Sequence, residues 1–487
     1  MTANQNQKYY YAFFGLALCA LIVPLYLVEV PPLVDLPNHL ARVFILANYA
    51  ETPFFQQNFQ IVYEPIPNLA LDLIVVPLMN VFDIFAANHL FLTLTIVLFA
   101  LGCHLISAQK TEKYSFSAVP AAFLIYGGTF FYGYVNYVFG IALFLVAFGL
   151  WLRWREKLSL KRFLMLVGLA FAIYLSHLSA FVFFGIAVFF VNVYDFFIRV
   201  EERRQWKFAA ADCALFILPT IAFLTFMSGT GNAVAVRWNS LNGKAIALFG
   251  PFRSYDLWLD LLCLALIASF FFWLIRQGQI VFDKRILSVS LFFLLIFLLS
   301  PNFFFTSDAD ARIVLPGFVL LILSCKVNIL KGKTFALFVV MFCFLTFRQS
   351  VISYRWIQIS EKMTAQRNLL NAIAPESKIY PIFVNDGGAA EEKLDRPIEN
   401  AVHFITIKNS SFAPSLFAFR GQQPLVSRRA GGFAALGNKD KMKWIQLLDE
   451  NEYVWTYGVP QTVSDELEKR GKIVAESEKT KIWKLNK

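Results

Sequence analysis

Apolar runs that approach 20 residues recur along most of this chain, and this feature limits its fold more than any other. A run of about 20 apolar residues crosses the hydrocarbon layer of a bilayer as one helix. Of the 487 residues, 58% are hydrophobic and only 16% are charged. A soluble protein of this length could not bury so much apolar surface, whereas lipid accepts it as solvent. The sequence therefore predicts an α-helical polytopic membrane protein and argues against a large soluble enzyme.

Eleven apolar segments are predicted to span the bilayer. A twelfth, residues 69–85, carries Asp72, Pro77 and Asp83, and we interpret it as a short helix at the outer interface. The eleven predicted spans are 9–29, 88–107, 118–133, 135–152, 162–178, 180–198, 208–227, 257–275, 286–300, 313–329 and 334–350.

The distribution of Lys and Arg predicts the orientation, because cytoplasmic loops hold the excess of these residues. With the N-terminus inside, the inner loops contain eighteen: Lys8, Lys110, Lys113, Arg153, Arg155, Lys157, Lys161, Arg162, Arg199, Arg203, Arg204, Lys207, Arg276, Lys284, Arg285, Lys326, Lys331 and Lys333. The outer loops, although longer, contain five: Arg42, Arg237, Lys244, Arg253 and Arg312. If residues 69–85 were counted as a span, every later loop would move to the opposite side of the membrane. The Lys and Arg residues would then no longer be concentrated in the inner loops.

The predicted organisation is a membrane domain over 1–350, with a large first outer loop over 30–87, and a soluble domain over 351–487 outside the membrane. The second domain begins with an amphipathic helix at 351–375. We expect it to be a small α/β domain that recognises an acceptor or covers a site, since it contains no catalytic constellation. Its predicted strands are 378–383, 403–408, 452–459 and 471–477, and its predicted helices lie near 440–450 and 462–470.

Two global features need no special function. The six cysteines all lie in apolar runs without metal-ligand spacing, so we interpret them as small apolar residues. The net charge of +11 is concentrated in inner loops that face anionic lipid, so no nucleic acid partner is predicted.

Polar residues gather where the first span ends on the outer side. In PPLVDLPNHLAR, the residues Asp35, Asn38, His39 and Arg42 would share one face of a helix. One interpretation is an interfacial helix whose polar face lies in water. The other is a functional site, because more polar residues occur at outer span ends. Together these residues predict a polar cavity open to the outer leaflet; the additional ones are Asn136, His177, Arg237, Arg253, Asp256, Asp308, Asp310 and Arg312.

These motifs resemble the GT-C superfamily of membrane glycosyltransferases, and in particular bacterial members of the protein mannosyltransferase and aminoarabinose transferase type. Asp35 occupies the place of the acidic residue that follows the first span in that family. NLALDLIVVPLMNVFDIF resembles the interfacial segment before the second span, although its glycine is absent, and DARIVLPGFVLLIL resembles a late span entered by an arginine. The segment GGTFFYGYVNYVFG has Asn136 where several members carry a second carboxylate. The resemblance covers about residues 1–350.

The resemblance implies a GT-C-like fold and transfer of a sugar from a polyprenyl-phosphate carrier to a glycan, lipid or protein acceptor at the outer face of a bacterial cytoplasmic (inner) membrane. No cofactor is assigned, and a divalent metal stays open because Asp35, Asn136, Asp308 and Asp310 form too weak a set of ligands.

The predicted site residues are also suited to glycosyl transfer when the resemblance is left aside. Glycosyl transfer needs a base for the acceptor hydroxyl and positive charge for the leaving phosphate. Asp35 is the predicted base. The predicted phosphate-binding residues are Arg312, Arg253, Arg237 and His177, and those for the acceptor or sugar are Asn38, His39, Arg42, Tyr134, Asn136 and Trp238.

Two other functions stay open at this stage. A transporter or flippase for a lipid-linked sugar usually shows internal repeats and helices broken by Gly or Pro near the bilayer midplane. No repeat is visible in this sequence, and its polar residues gather at one face instead of the midplane. A non-catalytic assembly protein for envelope polysaccharide, with the tail as its interaction module, is compatible with every feature of the sequence.

Overall fold

The computed structural model describes residues 3–108, 113–197, 206–226, 236–304, 308–327, 330–383, 397–428, 448 and 450–486. The chain divides into two compact units. The membrane unit comprises Met1–Leu27, Pro65–Ala70 and His89–Tyr354. The loop–tail unit comprises Val28–Glu64, Leu71–Asn88 and Arg355–Lys487. Most of the first outer loop therefore folds with the tail.

Helices dominate the described chain. The helices are α1 (Ala3–Tyr26), α2 (Leu36–Asn48), α3 (Pro53–Asn58), α4 (Ala70–Leu78), α5 (Ile84–Ser107), α6 (Ala118–Phe123), α7 (Gly128–Phe131), α8 (Val135–Trp154), α9 (Leu160–Ser176), α10 (Leu178–Phe197), α11 (Trp206–Ala214), α12 (Ile217–Phe226), α13 (Leu241–Phe249), α14 (Leu257–Arg276), α15 (Lys284–Leu299), α16 (Ala309–Ser324), α17 (Gly332–Leu369), α18 (Phe404–Asn409) and α19 (Gln461–Glu468). Single 3₁₀ turns occur at Gly250–Phe252, Leu370–Ala372 and Ala401–His403.

The strands are short. They are β1 (Phe59–Ile61), β2 (Val236–Arg237), β3 (Val281–Phe282), β4 (Phe303–Phe304), β5 (Cys325–Lys326), β6 (Ile379–Phe383), β7 (Leu425–Ser427), β8 (Tyr453–Tyr457), β9 (Gly471–Glu476) and β10 (Thr480–Leu485). Pairs β2–β4 and β3–β5 join loops within the membrane unit.

The predicted class of a polytopic helical membrane protein is confirmed, but the count of eleven spans is not. In the described part of the chain, seven helical segments have the length and composition to cross a membrane. The other four predicted spans are shorter: 118–133 forms two short helices, and α9, α15 and α16 have 17, 16 and 16 residues. At 1.5 Å per residue these three helices reach only about 25 Å, less than the ~30 Å hydrocarbon core. The seven are Gln5–Tyr26, Ile84–Ser107, Val135–Trp154, Leu178–Phe197, Ala209–Phe226, Leu257–Arg276 and Gly332–Ala372.

The segment predicted as a short helix at 69–85 contains α4, which has nine residues. At 1.5 Å per residue it extends about 14 Å, so it cannot span the bilayer as a helix.

Helix α8 is the most buried of the membrane-length helices, and small residues allow its neighbours to approach it. A Cβ atom on Gly149 would lie 2.7 Å from Cβ of Leu105, and one on Gly102 would lie 2.5 Å from Cβ of Leu145. Both glycines therefore permit direct contact between α5 and α8.

Two ionic clusters are buried in the membrane unit. Arg348 Nε contacts Asp260 Oδ1 at 2.8 Å, and Arg155 Nη2 contacts Asp195 Oδ2 at 2.6 Å. Arg285 reaches the second oxygen of Asp195, also at 2.6 Å. Pairing of this kind is what permits charges to be buried in a low-dielectric interior.

The loop–tail unit contains a four-stranded sheet in the order β6–β8–β10–β9, in which β6 and β8 are parallel and the other pairs are antiparallel. Trp483, Val454 and Leu467 are fully buried in its core. A second core joins the first outer loop to the tail, because Ile45 and Phe55 pack with Leu425. Strand β1 of the loop pairs antiparallel with β7 of the tail, which are more than 360 residues apart in the sequence.

Three predicted tail strands are confirmed as β6, β8 and β9, and the helix predicted near 462–470 is α19. The strand predicted at 403–408 is wrong. Phe404, Ile405 and Thr406 are buried in succession in α18, which packs on α2, and a short apolar run does not distinguish a buried helix from a strand. The predicted helix at 351–375 is the continuation of the last span in the single helix α17. The helix predicted near 440–450 lies almost entirely outside the described residues.

Candidate functional site

Arg312 lies in the first turn of α16, just after a strained residue. Asp308 is the N-cap of α16 and has a left-handed backbone, with φ 55°, which is uncommon for a residue other than glycine. Its carboxylate accepts a hydrogen bond from Tyr134 Oη at 2.7 Å. This contact ties the beginning of α16 to the segment before α8. Backbone strain of this kind tends to be concentrated at functional sites.

The Arg312 guanidinium rests on aromatic rings. Its Cζ lies 4.6 Å from the ring centre of Tyr134 and 5.9 Å from that of Tyr137. Nη1 is 3.5 Å from Nε2 of His177, at the limit of a hydrogen bond. The hydroxyl of Tyr137 donates to the backbone carbonyl of Arg312. The Nε atom has no hydrogen-bond partner in the part of the chain that the structure describes, although the residue is only 7% exposed.

Four arginines are buried among the described residues, and three of them have a carboxylate partner. Arg42 pairs with Asp72, Arg155 with Asp195 and Arg348 with Asp260, at 2.6–2.8 Å. Arg312 has no such partner within the described ranges. A buried cation without an anion is costly, so Arg312 differs from the other three in the absence of a compensating charge among the described residues.

The two carboxylates closest to Arg312 in the sequence are engaged by other groups. Asp310 forms an ion pair with Lys244 at 2.8 Å and accepts from Asn239 Nδ2 at 3.1 Å. Lys244 also donates to the carbonyl oxygens of Phe297 and Ser300. No sequence pattern predicted a site role for Lys244 or Asn239. The available signal was their position in the sequence: both lie between Arg237 and Arg253, which were predicted to be site residues.

Asn136 is 2% exposed and donates from Nδ2 to the backbone carbonyl and Oδ1 of Asn68, at 2.8 and 3.0 Å. Tyr174 Oη donates to the carbonyl of Pro65 at 3.0 Å. These contacts hold the segment Pro65–Ala70 against α8 and α9. The side chain of Asn136 is thus used within the protein.

The other predicted residues of the membrane unit are more accessible. Arg237 is exposed and lies 4.9 Å over the ring of Phe303, and Trp238 is 64% exposed. Arg253 is half-buried and follows the 3₁₀ turn whose Phe252 packs on Phe318 of α16. Neither arginine forms an ion pair or side-chain hydrogen bond within the described ranges. The structure therefore groups Arg312, His177 and Tyr134 but shows no bond from Arg237 or Arg253 to them.

The polar face of the first outer loop is helical, as predicted. Asp35 is the N-cap of α2, is partly buried and makes no capping bond from its side chain. Asn38 is 1% exposed; its Nδ2 donates to the Ser415 carbonyl at 3.0 Å, and its Oδ1 accepts from the Phe417 amide at 2.7 Å. Asn38 therefore joins α2 to the tail.

Arg42 is completely buried and forms a bidentate pair with Asp72, at 2.8 and 3.0 Å. Nη1 of Arg42 also lies 3.1 Å from Nδ1 of His39, whose ring contacts that of Phe417 edge to face. The interpretation of an interfacial helix with its polar face in water is therefore wrong. That face is buried by the tail and by α4.

His403 was missed by the sequence analysis because it belongs to a segment predicted as a strand. Its Nε2 lies 3.1 Å from both Asn38 Nδ2 and Ser415 Oγ. Burial lowers the pKa of His403 to about 3, so the imidazole is neutral. In that form Nε2 accepts the hydrogen bond from Asn38.

The described residues contain no group of three or more His, Cys, Asp or Glu side chains placed to hold a metal ion. Asp308 and Asp310 bind the protein groups described above.

Comparison with known proteins identifies the fold. No family model and no curated protein matches the sequence. Two solved structures of ArnT from Cupriavidus metallidurans match over 98% of this chain and 98% of theirs. The form bound to undecaprenyl phosphate has 8% identity and a TM-score of 0.53, and the apo form has 10% identity and a TM-score of 0.54. The chain therefore shares the fold of ArnT, a helical membrane fold with a small sheet-containing domain at its C-terminus, as predicted.

Proposed function

We propose that this protein is a membrane glycosyltransferase that moves a sugar from a polyprenyl-phosphate carrier to an envelope glycan, lipid or protein acceptor. The observation that carries the proposal is the buried Arg312, which has no carboxylate partner within the described ranges. It occurs in a chain whose fold is similar to that of a protein crystallised with undecaprenyl phosphate. In this proposal the N-terminus and inner loops face the cytoplasm and the site opens to the outer face of the bacterial inner membrane, as the distribution of Lys and Arg predicts.

Arg312 is suited to the donor phosphate for three reasons. Its guanidinium offers planar, directed donors that match phosphate oxygens. The rings of Tyr134 and Tyr137 fix its position before any ligand binds. Burial strengthens each charge interaction relative to water. We assign His177 to the same anion, because its Nε2 is already next to Nη1 of Arg312.

The proposed reaction has one chemical step. The oxygen of an acceptor hydroxyl attacks the anomeric carbon of the sugar while Asp35 takes the hydroxyl proton. The bond between the anomeric carbon and the phosphate oxygen breaks, and polyprenyl phosphate leaves with its charge balanced by Arg312. A general base typically contributes about 10²–10⁴-fold to such a rate.

The remaining predicted residues divide into two groups. Arg253, Arg237 and Trp238 are accessible, and we assign them to secondary phosphate contacts and to stacking on a sugar ring. Asn38, His39, Arg42 and Asn136 already bond within the protein, so we assign them to positioning α2 and the segment Pro65–Ala70.

The first test is binding of undecaprenyl phosphate to the purified protein in nanodiscs. We expect saturable binding by the wild type and a loss of about ten- to a hundredfold in affinity for Arg312→Ala, since hydrogen bonds to charged groups contribute roughly 1.5–3 kcal/mol. Arg312→Lys keeps the charge but loses the fork, so its affinity should be intermediate. The matched control is Arg276→Ala, which removes an exposed arginine that also lies over a ring, that of Phe272. Wild-type affinity in Arg312→Ala, or no binding by the wild type, would overturn the proposal.

The second test separates binding from chemistry. Asp35→Asn should retain the affinity for undecaprenyl phosphate and lose transfer of a radiolabelled sugar from polyprenyl-phosphate donors by about 10²–10⁴-fold. Full transfer by this variant would remove Asp35 from the mechanism.

A further inference from the structure

A second concentration of positive charge lies in the loop–tail unit, around a cavity of about 240 Å³. Pockets for drug-sized ligands are typically about 300–1,000 Å³, so this cavity fits a small headgroup better than an oligosaccharide. None of its residues belongs to the proposed donor or catalytic site. The lining residues are Glu29, Phe85, Thr364, Arg367, Asn368, Phe404, Ile407 and Lys408.

Arg367 is held in place on three sides. Its guanidinium carbon lies 5.0 Å from the ring centre of Phe85 and 5.2 Å from that of Phe404. Nη1 contacts Glu29 Oε2 at 2.5 Å. The side chain remains 25% exposed, so this positioned cation is still accessible to a ligand. Two aromatic contacts and one ion pair lower the conformational entropy that the side chain would lose on binding.

Lys408 adds a second cation to the same cavity. Its Nζ donates a hydrogen bond to the backbone carbonyl of Arg367 at 3.1 Å. Desolvation and the charge of Arg367 both lower the pKa of Lys408. The cavity thus brings two cations together with one carboxylate, Glu29, and an added anion would relieve the repulsion between Arg367 and Lys408.

The chain places this cavity at the ends of membrane-length helices. Glu29 follows the last residue of α1 by three positions, and Phe85 is the second residue of α5. Phosphate headgroups of the bilayer lie at the level where such helices end. Clustered Lys and Arg side chains near a membrane surface attract anionic lipid headgroups.

We infer that this cavity binds the phosphate of an anionic glycerophospholipid, with Arg367 and Lys408 as its ligands. Thr364 and Asn368 provide a hydroxyl and an amide for the polar part of the headgroup, and Phe85 and Phe404 lie against its carbon atoms. This site is independent of the proposed transferase reaction, because it shares no residue with the Arg312 cluster or with α2.

The test is native mass spectrometry of the full-length protein released from nanodiscs that contain equal amounts of phosphatidylglycerol and phosphatidylcholine. The wild type should retain phosphatidylglycerol selectively. Arg367→Ala and Lys408→Ala should each lower the retained fraction by about fivefold, as expected for loss of one Lys or Arg near an anionic lipid headgroup. Glu29→Gln should increase retention, because it removes the competing carboxylate.

The control is Lys469→Ala, which removes a lysine that is 72% exposed in α19 of the same unit. Lys408 is also exposed, so Lys408→Ala tests the site even if Arg367→Ala folds poorly. Competition with inorganic phosphate distinguishes the source of the anion: the inference predicts that millimolar phosphate does not displace the lipid. Equal retention of both lipids by the wild type, unchanged retention in both cavity variants, or full displacement by phosphate would overturn it.

Discussion

Arg348 and Arg312 occupy the same unit and are buried to a similar degree, but their surroundings differ completely. Arg348 bonds Asp260 and the carbonyl oxygens of Tyr126 and Phe252. Arg312 has aromatic rings and a histidine at the limit of bonding distance, and no carboxylate within the described ranges. The saturated arginine joins helices, whereas we propose that the unsaturated one binds a ligand. The sequence alone does not distinguish these two arginines.

The largest expected effect is on stability and applies to only one of the two arginines. Arg348→Ala leaves Asp260 buried without its cation, and breaking such a pair typically costs about 3–5 kcal/mol. Arg312→Ala removes a charge without leaving an unpaired carboxylate, so its cost should be smaller than that of Arg348→Ala. Thermal unfolding of both variants in detergent measures the difference. Equal destabilisation of the two variants would contradict the comparison.

The difference between the two arginines can also be removed by giving Arg312 a carboxylate partner. His177→Glu can place a carboxylate near the position of Nε2, which now lies 3.5 Å from Nη1 of Arg312. The new ion pair should preserve stability and lower the affinity for undecaprenyl phosphate by about ten- to a hundredfold, as we expect for Arg312→Ala. His177→Gln is the control, because it has the same length and adds no charge. Stronger lipid binding by His177→Glu would refute the role of Arg312 as the anion site.

The third prediction concerns His403, a buried neutral residue of the loop–tail unit, and the pH dependence of stability. Since the pKa of His403 is about 3 in the folded protein and about 6.5 when unfolded, the unfolded chain binds more protons between these values. Stability should therefore fall as the pH decreases from about 6.5 toward 3, with a loss of about 2 kcal/mol at pH 5. The pH dependence of unfolding measures this loss. His403→Gln keeps an acceptor for Asn38, and this contribution to the slope should disappear in that variant.

The smallest effect concerns the support of Arg312. Tyr134→Phe removes the hydroxyl that donates to Asp308 and keeps the ring beneath the guanidinium. We expect a stability loss of about 1 kcal/mol and nearly unchanged lipid affinity. Tyr134→Leu also removes the ring and should weaken lipid binding by a few-fold. A larger effect of Tyr134→Phe than of Tyr134→Leu on binding would show that the hydroxyl, not the ring, positions Arg312.

Much of the fold followed from local patterns. Apolar runs identified the helices, and the spacing of Asp35, Asn38, His39 and Arg42 predicted α2. The number of spans was harder to predict from the sequence, because three apolar helices are shorter than the bilayer core and one predicted span is divided into two short helices.

The contacts among the predicted site residues could be inferred only in part from the sequence. Arg312 and His177 were expected together and do lie together. The ion pairs Lys244–Asp310 and Arg42–Asp72 were not predicted. Both depend on contacts between segments that are distant in the sequence. For the same reason His403, in a segment that resembles a strand, gave no sign of its bond to a residue 365 positions away.

The pairing of β1 with β7 has a consequence for how the chain matures. Phe59–Ile61 is synthesised early, but its partner Leu425–Ser427 emerges 364 residues later, counted from Ile61 to Leu425. At about 5–20 residues per second, the nascent loop waits roughly 18–73 s with an unpaired strand edge and an unfilled apolar core. A chain truncated before residue 425 would lack the partner of β1 and part of this apolar core, so its first loop would keep both exposed.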